Sequence, residues 1–248
     1  MSRVLVLGHR GASAAAPENT HAAFRAALAA GADGVEFDVR FSSDGAPVVI
    51  HDASLARTGG RRVRVESLTL RQLQKFDVGV WFGSEFAGER IPALGDALET
   101  LASARMVNIE IKDLGAHPER GLDAIAALAG GRGEGRLLVS SFSPAVVAAA
   151  GRRFGPARTG LLVRRTITGA AAAARRAGAG TIALSCRQAA RRRRPFGAAG
   201  DPALWVYPVA QKREWDRALT LGAAVVIGDD PAMLLRHRDA AARRAPTL

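Results

Sequence analysis

Nine short runs of β-forming residues recur along the chain, at 4–8, 34–41, 47–51, 106–112, 136–142, 158–163, 181–185, 204–209 and 225–228. Helical stretches at 20–30, 93–104, 119–129, 144–153, 167–178, 214–221 and 231–238 separate most of them. Alternation of this kind predicts a parallel sheet covered by helices. One run breaks the pattern. Only Ser42 to Ala46 joins 34–41 to 47–51, far too little chain for a parallel crossover, so 47–51 must return antiparallel. Eight runs remain, the strand number of a (β/α)₈ barrel, and 248 residues is an ordinary length for one. The competing architecture, an open doubly wound sheet, usually carries a Gly-rich phosphate loop after its first strand. Gly8-His9-Arg10-Gly11 lacks that spacing. The expected fold is a TIM barrel with one antiparallel hairpin return strand.

From about Ala53 to Arg90 the chain has no barrel-type strand, yet it holds Trp81, Phe82 and Phe86. This stretch is too long for a plain connection and too short for a core of its own. It reads as a small cap beside the barrel mouth, at about 53–90. Neither a repeat nor a linker divides the rest, so residues 1–248 are expected to form a single barrel domain.

Composition narrows the function classes. At 48% hydrophobic residues the chain has ample material for a core. No apolar run approaches the roughly 20 residues of a membrane helix, so no transmembrane segment is expected. Met1 to Gly8 enters the first strand at once and leaves no room for the regions of a signal peptide, which predicts a cytoplasmic location. The net charge of +12 invites a polyanion partner. The positive charge is nearly all Arg, however, spread along the chain beside abundant Ala, the mark of codon bias; no nucleic-acid partner is expected. The one dense cluster, Arg191-Arg192-Arg193-Arg194 after Arg187, reads as a solvated loop or as a site for anionic substrate or lipid head groups. Cys186 is the only cysteine, so no intrachain disulfide can form. It follows the apolar run 181–185 and reads as a small buried filler in preference to a nucleophile.

The chemistry lies on the early strands. Glu36 and Asp38 are two residues apart in a strand and therefore share a face, while Val35, Phe37 and Val39 take the other. Turned inward near a barrel mouth, two such carboxylates repel and lose hydration unless a cation offsets them. Turned outward, they would merely be solvated. Asn108-Ile109-Glu110-Ile111-Lys112 repeats the pattern, with Glu110 and Lys112 on one face. Glu36, Asp38 and Glu110 converging at a mouth make an all-oxygen site, suited to one divalent cation, Mg²⁺ or Ca²⁺. Lys112 would add positive charge where a phosphate develops negative charge, and Arg10 could fork onto phosphate oxygens. His9 ends the first strand and His51 the return strand, and imidazole can give or take a proton near neutral pH. These seven positions describe a phosphodiesterase. Trp205, with Trp81 and Phe82 of the cap, reads either as a wall for the substrate or as plain core.

The chain resembles the glycerophosphodiester phosphodiesterase family. Gly8-His9-Arg10-Gly11, Pro17-Glu18-Asn19-Thr20, Glu36-Phe37-Asp38-Val39, Asp44-Gly45, His51-Asp52 and Arg57-Thr58 carry the likeness. It continues through Gly79-Val80-Trp81-Phe82, Ile109-Glu110-Ile111-Lys112, Ser141-Phe142, Gly222, Asp229 and Pro231, so that it spans nearly the whole chain. The resemblance implies a (β/α)₈ barrel with a small insertion over its mouth. It also implies a divalent metal on Glu36, Asp38 and Glu110, an acid–base pair at His9 and His51, and phosphate contacts from Arg10 and Lys112. The implied reaction is hydrolysis of a small-molecule glycerophosphodiester to glycerol 3-phosphate and an alcohol. Departures come late. Trp205-Val206-Tyr207-Pro208 stands where the family usually has Trp-Thr-Val-Asn, and Gly228 where Thr usually precedes the final Asp. Both bear on the substrate pocket. Two rival readings remain, a lysophospholipase D acting on longer lipids and a silent barrel binding anionic lipid or nucleic acid through its Arg surface.

Overall fold

Strand pairing closes the sheet on itself. The computed structural model of the chain describes residues 3–114, 118–129, 136–164, 169–193, 195–196 and 200–244. Its strands are β1 (Leu5–His9), β2 (Gly34–Phe41), β3 (Pro47–Val49), β4 (Met106–Ile111), β5 (Leu137–Ser141), β6 (Thr159–Leu162), β7 (Thr181–Ser185), β8 (Ala203–Tyr207) and β9 (Val225–Gly228). All pairings except that of β3 are parallel, and β1 pairs with both β2 and β9, which shuts the ring. The fold is a closed eight-stranded parallel barrel with one extra strand. β3 runs antiparallel to β2, with Val39 opposite Val49 and Phe41 opposite Pro47. The β1–β2 ladder ends at His9 opposite Glu36, so β3 takes over the same edge of β2 beyond the end of β1.

Alternation along the strands decides what faces inward. Val35, Phe37 and Val39 of β2 and Ile109 and Ile111 of β4 are fully buried in the layer between barrel and helices. Leu7, Leu138, Leu162, Ala183, Trp205, Val225 and Ile227 fill the lumen. Gly34 permits the tight start of β2, because a Cβ there would lie 1.7 Å from the Met106 carbonyl oxygen.

The helices around the ring are α1 (His21–Ala29), α2 (Leu70–Leu73), α3 (Leu94–Thr100), α4 (Pro118–Ala129), α5 (Pro144–Phe154), α6 (Ala170–Arg176), α7 (Cys186–Arg191), α8 (Lys212–Thr220) and α9 (Pro231–Arg244). Their starts follow local rules. Thr20 caps α1 by accepting from the Ala23 amide, and Ser143 caps α5 with Pro144 in its first turn. α7 adds a helix ahead of the Arg cluster, whose Arg192 and Arg193 follow it outside any helix or strand, as the loop reading expects. Ser185 and Gln188 form a reciprocal capping box, so Arg187 and Arg191 lie on a helix; Arg194 lies outside the described residues. Cys186 is only half buried, and its Sγ donates to the Pro208 carbonyl at 2.9 Å. Burial, with the Glu214 charge, pushes its thiol up to about 12, which leaves it unreactive at neutral pH.

The stretch after β3 holds α2 and single 3₁₀ turns at Val65–Ser67 and Ser84–Phe86. Its apolar side chains, Leu55, Val65, Leu73 and Val78, pack on Val48 and Ile50 from the hairpin. The insertion therefore borrows barrel residues to complete its small core.

Candidate active site

Two strands bring the acids together. β2 and β4 run in register with Asp38 opposite Glu110 and Glu36 opposite Asn108. Both strands turn these side chains into the lumen, leaving Glu36 4%, Asp38 1% and Glu110 5% exposed. One carboxylate oxygen from each lies within 4.8 Å of the other two. Oxygens bound to one Mg²⁺ or Ca²⁺ at about 2.1–2.5 Å lie no more than about 5 Å apart, so the spacing fits a divalent cation. The electrostatics agree. Burial, reinforced by the Asp38 charge, pushes Glu36 up to about 7 and raises Glu110 as well. Burial also works against Asp38, but the charges of Lys112 and Arg10 outweigh it and hold its carboxyl below the ordinary range. Two cationic side chains thus face three acids, and the surplus negative charge favours a further cation.

The cations are held in place. Lys112 sits 2.7 Å from Asp38 Oδ1 and donates to Glu110 Oε1. Its burial opposes protonation, but the two acids outweigh this and keep it charged. Arg10 donates its amide to Glu36 Oε2 at 3.1 Å, sets Nε 3.2 Å from Asp38 Oδ2 and donates Nη1 to Glu18 Oε1 at 2.8 Å. To do so it adopts φ +56°, a left-handed conformation that costs a side-chain-bearing residue energy. Gly11, at φ +88°, follows it because a Cβ there would meet the Ala23 backbone at 2.6 Å. Asn19, also left-handed, donates Nδ2 to Asp38 Oδ2 at 2.8 Å and accepts the Asp38 amide at 3.2 Å.

Each candidate histidine has its own carboxylate. His9 Nδ1 lies 2.6 Å from Asp229 Oδ1, just beyond β9, while its Nε2 is 4.0 Å from Glu36 Oε2. His51 Nδ1 lies 2.6 Å from Asp52 Oδ1. The Ile50 amide still donates to the Asp38 carbonyl at 3.0 Å, which draws the end of the hairpin over the acids. Nδ1 bonded to a carboxylate leaves Nε2 of each ring for other work. The two rings titrate apart. Burial opposes protonation of His9, but Asp229 and Glu36 more than offset it and its pKa lies above 6.5. In His51 burial prevails over the Asp38 charge and the pKa lies below 6.5.

His9, Arg10, Glu36, Asp38, His51, Glu110 and Lys112 thus form one cluster at the C-terminal mouth. Trp205 is 3% exposed inside the lumen, lining the same cavity as His9, Glu36 and Glu110. The rim position on β8 belongs to Tyr207, which meets Phe142 edge-on at 6.4 Å. Trp81, 41% exposed, stacks edge to face with Phe82. The sequence reading assigned no role to Glu18, Asn19, Asp52, Arg57 or Asp229. Two signals point to them in the sequence, the adjacency of His51 and Asp52 and the place of all five in the segments that carry the family resemblance.

The glycerophosphoryl diester phosphodiesterase family model matches residues 9–233. The chain belongs to that family. Among curated family relatives, the glycerophosphodiester phosphodiesterase of Caldanaerobacter subterraneus subsp. tengcongensis is 43% identical over 143 residues, 57% of this chain and 59% of the relative. A putative glycerophosphodiester phosphodiesterase of Bacillus subtilis is 44% identical over 115 residues, 46% of each chain. The chain thus spans about half the length of the curated relatives it matches. Among solved structures, a glycerophosphodiester phosphodiesterase from Agrobacterium tumefaciens is 27% identical, with a TM-score of 0.78 over 94% of this chain and 99% of that one. An Oleispira antarctica phosphodiesterase, solved with its product sn-glycerol-3-phosphate, shares the fold at a TM-score of 0.83 and 24% identity, covering 95% of this chain and 96% of that one.

Proposed function

We propose that this chain hydrolyses a glycerophosphodiester to glycerol 3-phosphate and an alcohol, using one divalent cation and two histidines. The whole chain is taken as one phosphodiesterase unit, with 53–90 as its cap. The observation that carries the reading is the convergence of two carboxylate-tethered imidazoles on the nest of Glu36, Asp38 and Glu110. Family membership and the product bound to the Oleispira relative support the substrate class.

Glu36, Asp38 and Glu110 would hold the cation, Mg²⁺ or Ca²⁺, which supplies positive charge to the phosphate oxygens. Lys112 and Arg10 add fixed positive charge where negative charge grows on phosphorus-bound oxygen. One imidazole takes the proton of the attacking oxygen as its bond to phosphorus forms; that oxygen comes from water, or from a neighbouring glycerol hydroxyl, whose cyclic phosphate water then opens in a second displacement. The other gives its proton to the alcohol oxygen as the opposite P–O bond breaks. Asp229 and Asp52 hold each ring in the tautomer this requires. Trp205 and the apolar lumen exclude water below the acids, which strengthens every charge interaction above. A cytoplasmic location belongs to the same reading; among the described residues, no helix is long and apolar enough to cross a membrane.

The test is release of glycerol 3-phosphate from a panel of glycerophosphodiesters, each with Mg²⁺, Ca²⁺ or excess chelator. Turnover with a cation and none in chelator is expected; full turnover in chelator would remove the metal from the reading. A second substrate class, lysophospholipids, is favoured by the exposed cap residues Val80 and Trp81, at 54% and 41%. Faster turnover of a lysolipid than of glycerophosphocholine would select it.

A further inference from the structure

Arg57 lies outside the acid nest, on the segment that leaves the hairpin, yet all three of its guanidinium nitrogens are committed toward it. Nε donates to Asp52 Oδ2 at 2.8 Å. Nη1 and Nη2 donate to Glu18 Oε2 and Oε1 at 2.7 and 2.8 Å. The two acceptors have different clients. Asp52 uses its other oxygen for His51 Nδ1, and Glu18 Oε1 also receives Arg10 Nη1. A continuous chain of charge-assisted contacts therefore runs from His51 through Asp52, Arg57, Glu18 and Arg10 to Asp38. On its outer side the guanidinium lies 5.9 Å from the centre of the Trp81 ring.

The geometry points to Arg57 as a positioning residue that fixes the proton-handling His51 and the phosphate-binding Arg10 at once, and this rests on the roles proposed for those two residues. An ordinary surface ion pair would stabilise little and would touch neither function. Here all three nitrogens donate and the contact with Glu18 is bidentate, a geometry that a lysine ammonium cannot reproduce. Without Arg57, Asp52 and Glu18 lose the cation they share. Asp52 is then free to swing away from His51, and Glu18 is left to pull Arg10 away from Asp38. One side chain thereby ties the acid–base machinery to the anion-binding machinery.

The test separates the two arms. Asp52→Ala is expected to lower kcat about 30-fold with KM nearly unchanged, since misplacing a catalytic group costs on this scale. Glu18→Ala is expected to raise KM about fivefold through the loss of a charge-assisted anchor for Arg10. Arg57→Ala should do both, and Arg57→Lys should restore neither. Added to an Asp52→Ala/Glu18→Ala protein, Arg57→Ala should change either parameter by less than about twofold, the non-additivity of parts that act together. A fall in Tm with unchanged kcat and KM, full recovery in Arg57→Lys, or an additive loss in the triple variant would each overturn the inference. If Arg57→Ala does not fold, Arg57→Lys carries the same comparison. A readout independent of turnover is the ¹⁵N–¹H spectrum of the histidine rings. The His51 Nδ1–H resonance should vanish in Asp52→Ala and in Arg57→Ala, and its persistence in the latter overturns the hold on Asp52. Wild-type hydrolysis by His51→Ala and Arg10→Ala would instead sink the proposed function, and the resonance would still decide whether Arg57 positions His51.

Discussion

The two halves of the barrel share one backbone plan and turn different chemistry inward. On β1, β2 and β4 the lumen positions toward the mouth are His9, Glu36, Asp38, Asn108 and Glu110. On β5 to β9 the corresponding face is Leu138, Ser140, Gly160, Leu162, Thr181, Ala183, Trp205 and Ile227. Among the described residues, the charged side chains on the lumen face of the strands sit on three adjacent strands, and the other five strands form a wall. A carboxylate facing that wall has few dipoles to solvate it, which is why burial is the first cause of the upward shifts in Glu36 and Glu110. The lopsided arrangement makes the acids costly to fold and receptive to a cation for the same reason.

The largest effects should fall on the charged half. Glu110→Gln or Asp38→Asn should abolish measurable turnover at ordinary cation levels, as should excess chelator, with Mg²⁺ or Ca²⁺ restoring only the wild type. Next, His9→Ala and His51→Ala should each lose about 10²–10⁴-fold in kcat, the usual share of positioned acid–base groups, with the circular dichroism of folded protein. Either variant retaining wild-type turnover would move the proton chemistry elsewhere.

The pH profile sharpens the comparison within that half. His51 is neutral above a pKa that lies below 6.5, and His9 stays protonated to a pKa above 6.5. The pair with His51 as base and His9 as acid is therefore most populated between these values, and a bell-shaped kcat/KM profile spanning 6.5 is expected. Loss of the acidic limb in a His9 variant would reverse the two roles.

Stability should sort the halves the other way. Trp205→Ala empties the dry wall and should cost about 3–5 kcal/mol. Glu36→Gln should stabilise the chelated protein. A buried carboxyl raised to about 7 makes the folded state lose stability as pH rises from about 4.5 through 7, and the amide does not titrate. At pH 8 in chelator its Tm should rise by a few degrees, about 2–4 °C per kcal/mol for a chain of this size. A lower Tm would show that the acids are not in conflict.

The legible part of this molecule is the part that obeys a period. Strand alternation with a five-residue hairpin connection leads directly to eight parallel strands and one return strand, and the ladders place them so. Glu36, Asp38, Glu110 and Lys112 stood out because a charge at alternate positions of an apolar strand has no bland explanation once the strand is central. Glu18, Asn19, Asp52, Arg57 and Asp229 sit on connections, where no period marks the inward face. Their roles come from tertiary approach, as with Asp229 and His9, 220 residues apart. α7 was missed because its short capping box lies beside an arginine run that reads as solvated chain.

The distance between those two partners has a consequence for the newborn chain. Strands β1, β2 and β4 emerge from the ribosome early, but the carboxylate that steadies His9 is made just after β9, the last of the barrel strands in chain order. Until the ring closes, His9 lacks the Asp229 carboxylate. The carboxylate partner of His9 thus comes into place only as the ring closes.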